Sequence, residues 1–140
     1  MASIRFFTES INFKITNPRK TRAWIRGVTK IENRAISEIN YIFCSDAYLL
    51  ELNQRFLKHN TLTDIITFDN AEESKEINGE IYISIDRIKE NALSLKTNFE
   101  DELHRVIIHG VLHLIGYKDK KKSEKALMRK KEEAFLSLRK

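Results

Sequence analysis

Two histidines, His109 and His113, stand inside the most apolar stretch of the chain, and that conflict limits what the segment can become. Val106, Ile107, Ile108, Val111, Leu112, Leu114 and Ile115 make it apolar on nearly every face, the mark of a buried helix. A spacing of four puts both imidazoles on one side of that helix, one turn apart. Without partners, each would cost on the order of 1–3 kcal/mol in such surroundings. One shared cation answers both, although buried histidines also satisfy backbone carbonyls. Gly116 stops the helix, and the chain reverses through Tyr117 and Lys118. The reversal brings Asp119 back toward the histidines, either as a third ligand or as a turn residue only. The ligand set is then His109, His113 and Asp119, with at least one coordination position left for water or substrate.

At 140 residues, 41% hydrophobic and 32% charged, the chain has the makeup of a single globular domain spanning 1–140. It holds no apolar run of membrane-spanning length. Arg5, Glu9 and Asn12 break up the opening residues, so a cytoplasmic protein without a membrane partner is expected. Cys44 is the only cysteine and sits in the apolar run Tyr41-Ile42-Phe43-Cys44, which suits a buried, inert thiol. The net charge of +5 is unevenly spread: basic residues crowd the N-terminal third and the C-terminus, while Glu72, Glu73, Glu76 and Glu80 collect in the middle. Such ends attract a polyanion such as RNA, or serve only solubility.

In chain order, Ile4–Phe7 reads as a first strand. Asn17-Pro18 opens a helix with a capping side chain and a proline in its first turn, carrying Trp24, Ile25, Val28 and Ile31 on one stripe to about Glu32. A second strand runs from Ile36 to Cys44. Ser45-Asp46 begins a helix through Leu49, Leu52 and Phe56, widened by Leu50 and Leu57. Thr63–Phe68 and the alternating Gly79–Asp86 read as two strands of a hairpin around an acidic loop. Helices follow over Ile88–Leu95, from about Glu100 through the histidines, and over Ser123–Leu138 with Leu127, Ala134, Phe135 and Leu138 inward. The pattern predicts an α+β fold: a small mixed four-stranded sheet packed with about five helices, the histidine-bearing helix central.

The run HGVLHLIGYKD resembles the HGxLHLxGYDH signature of the YbeY family of bacterial endoribonucleases. Glu124, Met128 and Glu132 fall where that family continues with ExxxMxxxE. Thr63–Phe68 is similar to its TDVLSF segment, Leu52-Asn53 to its LN, and Gly79-Glu80-Ile81 to its GDI strand. A long motif with shorter ones in family order is a specific signal.

The resemblance implies a compact α+β fold and one zinc ion per chain, or another divalent ion, held by three signature residues. It also implies single-strand-specific, metal-dependent endoribonuclease activity in maturing the 3′ end of small-subunit rRNA and in ribosome quality control. The implied partners are precursor rRNA and the small ribosomal subunit with its proteins. Carried over by position, the catalytic and metal-binding residues are His109, His113 and Asp119, the last standing where the family has a third histidine. The family's phosphate-facing arginine is replaced by Leu57, and Arg55, Lys58 or His59 are the expected substitutes in substrate binding. His104, roughly 140° around the helix from His109, is expected at the surface or behind the ligands. Glu124 and Glu132 pair with neighbouring cations on this reading, and Thr63 and Asp64 form a turn or line the cleft opposite the metal. A metallopeptidase of the zincin type is disfavoured, because Gly110 stands where that helix needs a glutamate. The alternative is a non-catalytic ribosome-associated factor with a structural metal, which a closed four-ligand site would favour.

Overall fold

The computed structural model describes residues 3–58, 62–72 and 76–139. Four strands, β1 (Ser3–Glu9), β2 (Ile36–Cys44), β3 (Ile65–Asp69) and β4 (Ile77–Ser84), form one sheet in the order β1-β2-β4-β3. β1, β2 and β4 are parallel, and β3 returns antiparallel on β4 as the hairpin the alternation predicts. Five helices complete the chain: α1 (Pro18–Ile31), α2 (Asp46–Phe56), α3 (Ile85–Leu95), α4 (Phe99–Ile115) and α5 (Lys122–Ser137).

Capping chemistry sets most helix starts. Asn17, Ser45, Ser84 and Asn98 each accept a backbone N–H from the first turn that follows. At Ser84 this moves a boundary. Ile85 and Asp86 continue the strand alternation in sequence, yet the Ser84 hydroxyl accepts the Arg87 N–H, and α3 begins directly at Ile85. The same hydroxyl donates to Asp46, and the Asp46 N–H donates to Asp86, so the N-termini of α2 and α3 are tied crosswise at the sheet end.

α4 is buried along its length because the sheet and the neighbouring helices surround it. Leu103, Val106, Ile107, Ile108, Val111 and Leu112 are essentially inaccessible, as the all-round apolar pattern requires. Its approach to the sheet is set by glycine. A Cβ on Gly110 would lie 2.9 Å from Ile81, and one on Gly79 would lie 2.6 Å from the Phe68 carbonyl.

Two apolar stripes differ from expectation. On α1, Trp24, Ile25 and Val28 point inward with Thr21, but Ile31 at the helix end is exposed. On α5 the inward stripe is Met128, Glu132 and Phe135, while Leu127, Ala134 and Leu138 face solvent. Hydrophobicity misplaces that face because its centre is a carboxylate, held by groups on α4. Leu57, just past α2, is likewise exposed.

Candidate metal centre

His109 and His113 lie one turn apart on α4, with their Nε2 atoms 3.0 Å from one another. Gly116 ends the helix at φ 124°, a conformation open to glycine, and the Gly116 and Tyr117 N–H groups bond back to the Leu112 carbonyl. The reversal that follows brings Asp119 Oδ2 to 3.6 Å from His109 Nε2. One ligand atom from each of the three residues lies within 4.8 Å of the others. A tetrahedral ion with bonds near 2.1 Å sets its ligand atoms about 3.4 Å apart, so this spacing fits a metal. Two imidazole lone pairs facing each other across 3.0 Å also need a cation or proton between them.

Behind the ligands stands a second layer from α5. Glu132 Oε2 is 2.5 Å from His109 Nδ1, and Glu132 Oε1 accepts from Arg105 Nη1 at 3.0 Å. Arg105 also donates through Nε and Nη2 to both oxygens of buried Glu102. Burial alone would push the Glu132 carboxyl up, but the His109 and Arg105 hydrogen bonds outweigh it and hold the group below the usual carboxylate range. An ionised Glu132 accepts the Nδ1–H of His109 and so orients the ring with Nε2 toward the cleft. Burial, and then the neighbouring His109, lower the His113 pKa, which favours the neutral form that can ligate.

The turn carrying Asp119 is anchored by the segment just after α1 and by α5. Tyr117 Oη donates to Glu32 at 2.7 Å, Lys131 Nζ donates to the other Glu32 oxygen at 3.0 Å, and Arg34 Nη1 donates to the Ile115 carbonyl.

The ligand atoms open into a cleft of about 370 Å³ lined also by Thr63, Asp64, Ile65, Arg105 and Val106. Of the two readings of Thr63 and Asp64, the structure shows them lining the cleft with the candidate ligands. Burial raises the Asp64 pKa, and the Asn91 amide donates to its carboxylate at 3.3 Å. Arg105 is the only cation among the described lining residues, and its guanidinium is committed to Glu102 and Glu132.

Not every expected site residue gathers here. Arg55 is exposed in the last turn of α2 beside Tyr48, Glu51 and Leu52, and Lys58 is exposed just beyond; neither lines the cleft. His59 lies outside the described residues. His104 is buried away from the ligands, its Nδ1 2.6 Å from the Glu100 carbonyl and its ring edge-on to Trp24. Cys44 is buried and its thiol is pushed up to about 12 by burial, then by Asp46 and Asp86, as an inert cysteine requires. Sequence reasoning misses Arg105 and Glu102. The only local signal is that Arg105 precedes His109 by one helical turn.

The family model described as Endoribonuclease YbeY matches residues 6–139. A relative from Cytophaga hutchinsonii named Endoribonuclease YbeY is 52% identical over 138 residues, covering 99% of this chain and 96% of its own. One of the same name from Flavobacterium psychrophilum is 52% identical over 132 residues, covering 94% of each. The solution structure of TM1509 from Thermotoga maritima is similar with a TM-score of 0.70 at 28% identity, covering 98% of this chain and 89% of that one.

Proposed function

The chain belongs to the YbeY endoribonuclease family, and from that premise we propose that it is a metal-dependent hydrolase of single-stranded RNA, acting on precursor rRNA at the small-subunit 3′ end and in ribosome quality control in the cytoplasm. The observation that carries this reading is the open cleft into which His109, His113 and Asp119 direct their ligand atoms. Those three would hold one ion, zinc in the first instance. Bound there, a divalent ion acidifies a coordinated water and polarises a phosphoryl oxygen.

The remaining roles belong to the chain's own groups. Glu132 orients His109 and holds the proton on its Nδ1. Arg105 keeps Glu132 ionised and in place. Thr63 and Asp64 confine the scissile phosphate from the facing wall, and Asp64 disfavours closer approach of a second phosphate by its charge. With Leu57 in place of the family arginine, the cleft holds no uncommitted guanidinium among its described residues. Arg55, Lys58 and His59 are proposed as contacts to the RNA chain outside the cleft. The basic run Lys120, Lys121 and Lys122 flanks Asp119 and suits a polyanionic strand.

The deciding experiment is cleavage of single-stranded and duplex RNA by the purified protein, with and without chelator, beside Asp119→Ala. Metal-dependent cleavage of the single strand, lost in the variant, is expected. A wild type that holds one ion and cleaves neither RNA would leave the non-catalytic ribosome factor as the function. The replacement of the arginine at Leu57 is what favours that second reading.

A further inference from the structure

Away from the metal cleft, a cavity of about 700 Å³ wraps the C-terminal end of β1, which among the described strands pairs only with β2. Successive residues of a strand point to opposite faces, so Phe6 and Phe7 place rings on both sides of that strand. Phe6 stacks toward Phe43 and lies near Phe13; Phe7 is 47% exposed and falls in the same sheet row as Ile42 and Tyr82, whose ring stacks with Tyr48. An ordinary core buries such rings. Here several aromatic faces are left partly open beside one another.

The segment that follows β1 carries charge of one sign, while Glu9, Glu51 and Glu80 lie on the side of Tyr48 and Tyr82. Residues 10–31 contain six cations, Lys14, Arg19, Lys20, Arg22, Arg26 and Lys30, and no acid. None of the six has a carboxylate partner among the described residues. Lys14 and Arg22 line the cavity itself; the Arg22 guanidinium sits over the Phe6 ring at 5.1 Å and donates from Nε to the Ile4 carbonyl. The loop between β1 and α1 that forms one wall is bracketed by two non-glycine residues at positive φ, Ser10 and Asn17, backbone states that surrounding structure must hold in place. Glu9, the one carboxylate of the described lining, offers an acceptor to amino groups on a base edge.

Open aromatic faces interleaved with uncompensated cations are the composition of a single-stranded nucleic-acid platform, since every base has a face to stack and every phosphate a charge to neutralise. We propose that the β1 edge and the basic face of α1 form a second binding site for single-stranded RNA, distinct from the metal cleft, with bases stacked on Phe7 and its neighbouring rings and phosphates on Lys14, Arg19 and Arg22. The inference rests on the reading of the chain as an RNA-acting protein. The site lies at the same end of the sheet as the cleft: Thr8, Phe43, Ile83 and Ile65 occupy one row across all four strands, three spacings of about 4.8 Å.

The test is fluorescence anisotropy with a labelled single-stranded RNA dodecamer and the full chain in EDTA, which keeps cleavage out of the measurement. Phe7→Ala is expected to weaken binding about tenfold, and Phe7→Tyr, which keeps the ring, to restore it. The double variant Lys14→Ala, Arg19→Ala is expected to reduce the slope of log affinity against log salt by about 1.4. Both sit on the surface, and unchanged melting temperatures verify their fold. In parallel, 4-thiouridine RNA crosslinked to the wild type is expected to label residues 3–22. Wild-type affinity and slope in both variants, with crosslinks confined to residues 100–124, would overturn the proposal and leave the surface to a protein partner. Failure of the nuclease reading looks different: RNA still binds at β1, but no RNA is cut when metal is supplied.

Discussion

Glu132, past the middle of α5, lies with Oε2 2.5 Å from Nδ1 of His109 on α4, so one helix orients the cleft-facing nitrogen of another. The contact joins stability to chemistry, because the same carboxylate also receives Arg105. Glu132→Gln keeps the volume but removes the charge that selects the Nδ1–H tautomer. Metal affinity, measured by competition against a chelator of known strength, should fall by about 10- to 100-fold. An unchanged affinity would show that His109 is oriented by packing alone.

Asp119 is the candidate ligand that departs from the signature the chain resembles. Asp119→Ala should leave the purified chain with little metal by mass spectrometry, while the wild type carries about one ion. Asp119→His should shift preference toward zinc over harder ions such as manganese, because an imidazole replaces an oxygen donor. Equal metal in wild type and Asp119→Ala would mean that the third ligand lies elsewhere.

Close packing of α4 on the sheet predicts an order of costs. Gly110→Ala puts a methyl against Ile81 and Ile65 side chains, which can shift, and should cost about 1–3 kcal/mol in urea unfolding. Gly79→Ala meets the Phe68 carbonyl, which is backbone in the β3–β4 ladder and cannot move without breaking register. It should cost more than Gly110→Ala. The reverse order would contradict the packing described.

The pH dependence of stability has a contribution from His104. Its ring is buried, Nε2 has no hydrogen-bond partner among the described residues, and burial lowers its pKa, with Arg139 adding to the effect against Glu100 and Asp101. The unfolded chain therefore binds the proton more readily, and stability from this group is complete above about pH 6.5 and is lost as pH falls below it. His104→Gln should flatten that part of the profile relative to wild type in thermal melts at pH 5 and pH 7. Parallel profiles would show that His104 does not titrate there.

The convergence of the candidate ligands was legible in sequence because they are local. His109, His113 and Asp119 lie within eleven residues, and helix period, a glycine stop and a short reversal suffice to converge them. The α+β class and the β3–β4 hairpin were legible for the same reason: alternation and helical period are properties of short windows. The errors have one cause as well. The inward face of α5 was misread from Leu127 and Leu138 because a buried carboxylate looks like surface until its partners on α4 are known. Tertiary structure alone decided that Glu132 and Arg105 support His109 and that Thr63 and Asp64 wall the cleft. Those groups come from three separate elements, and no local period encodes the packing that brings them to one place.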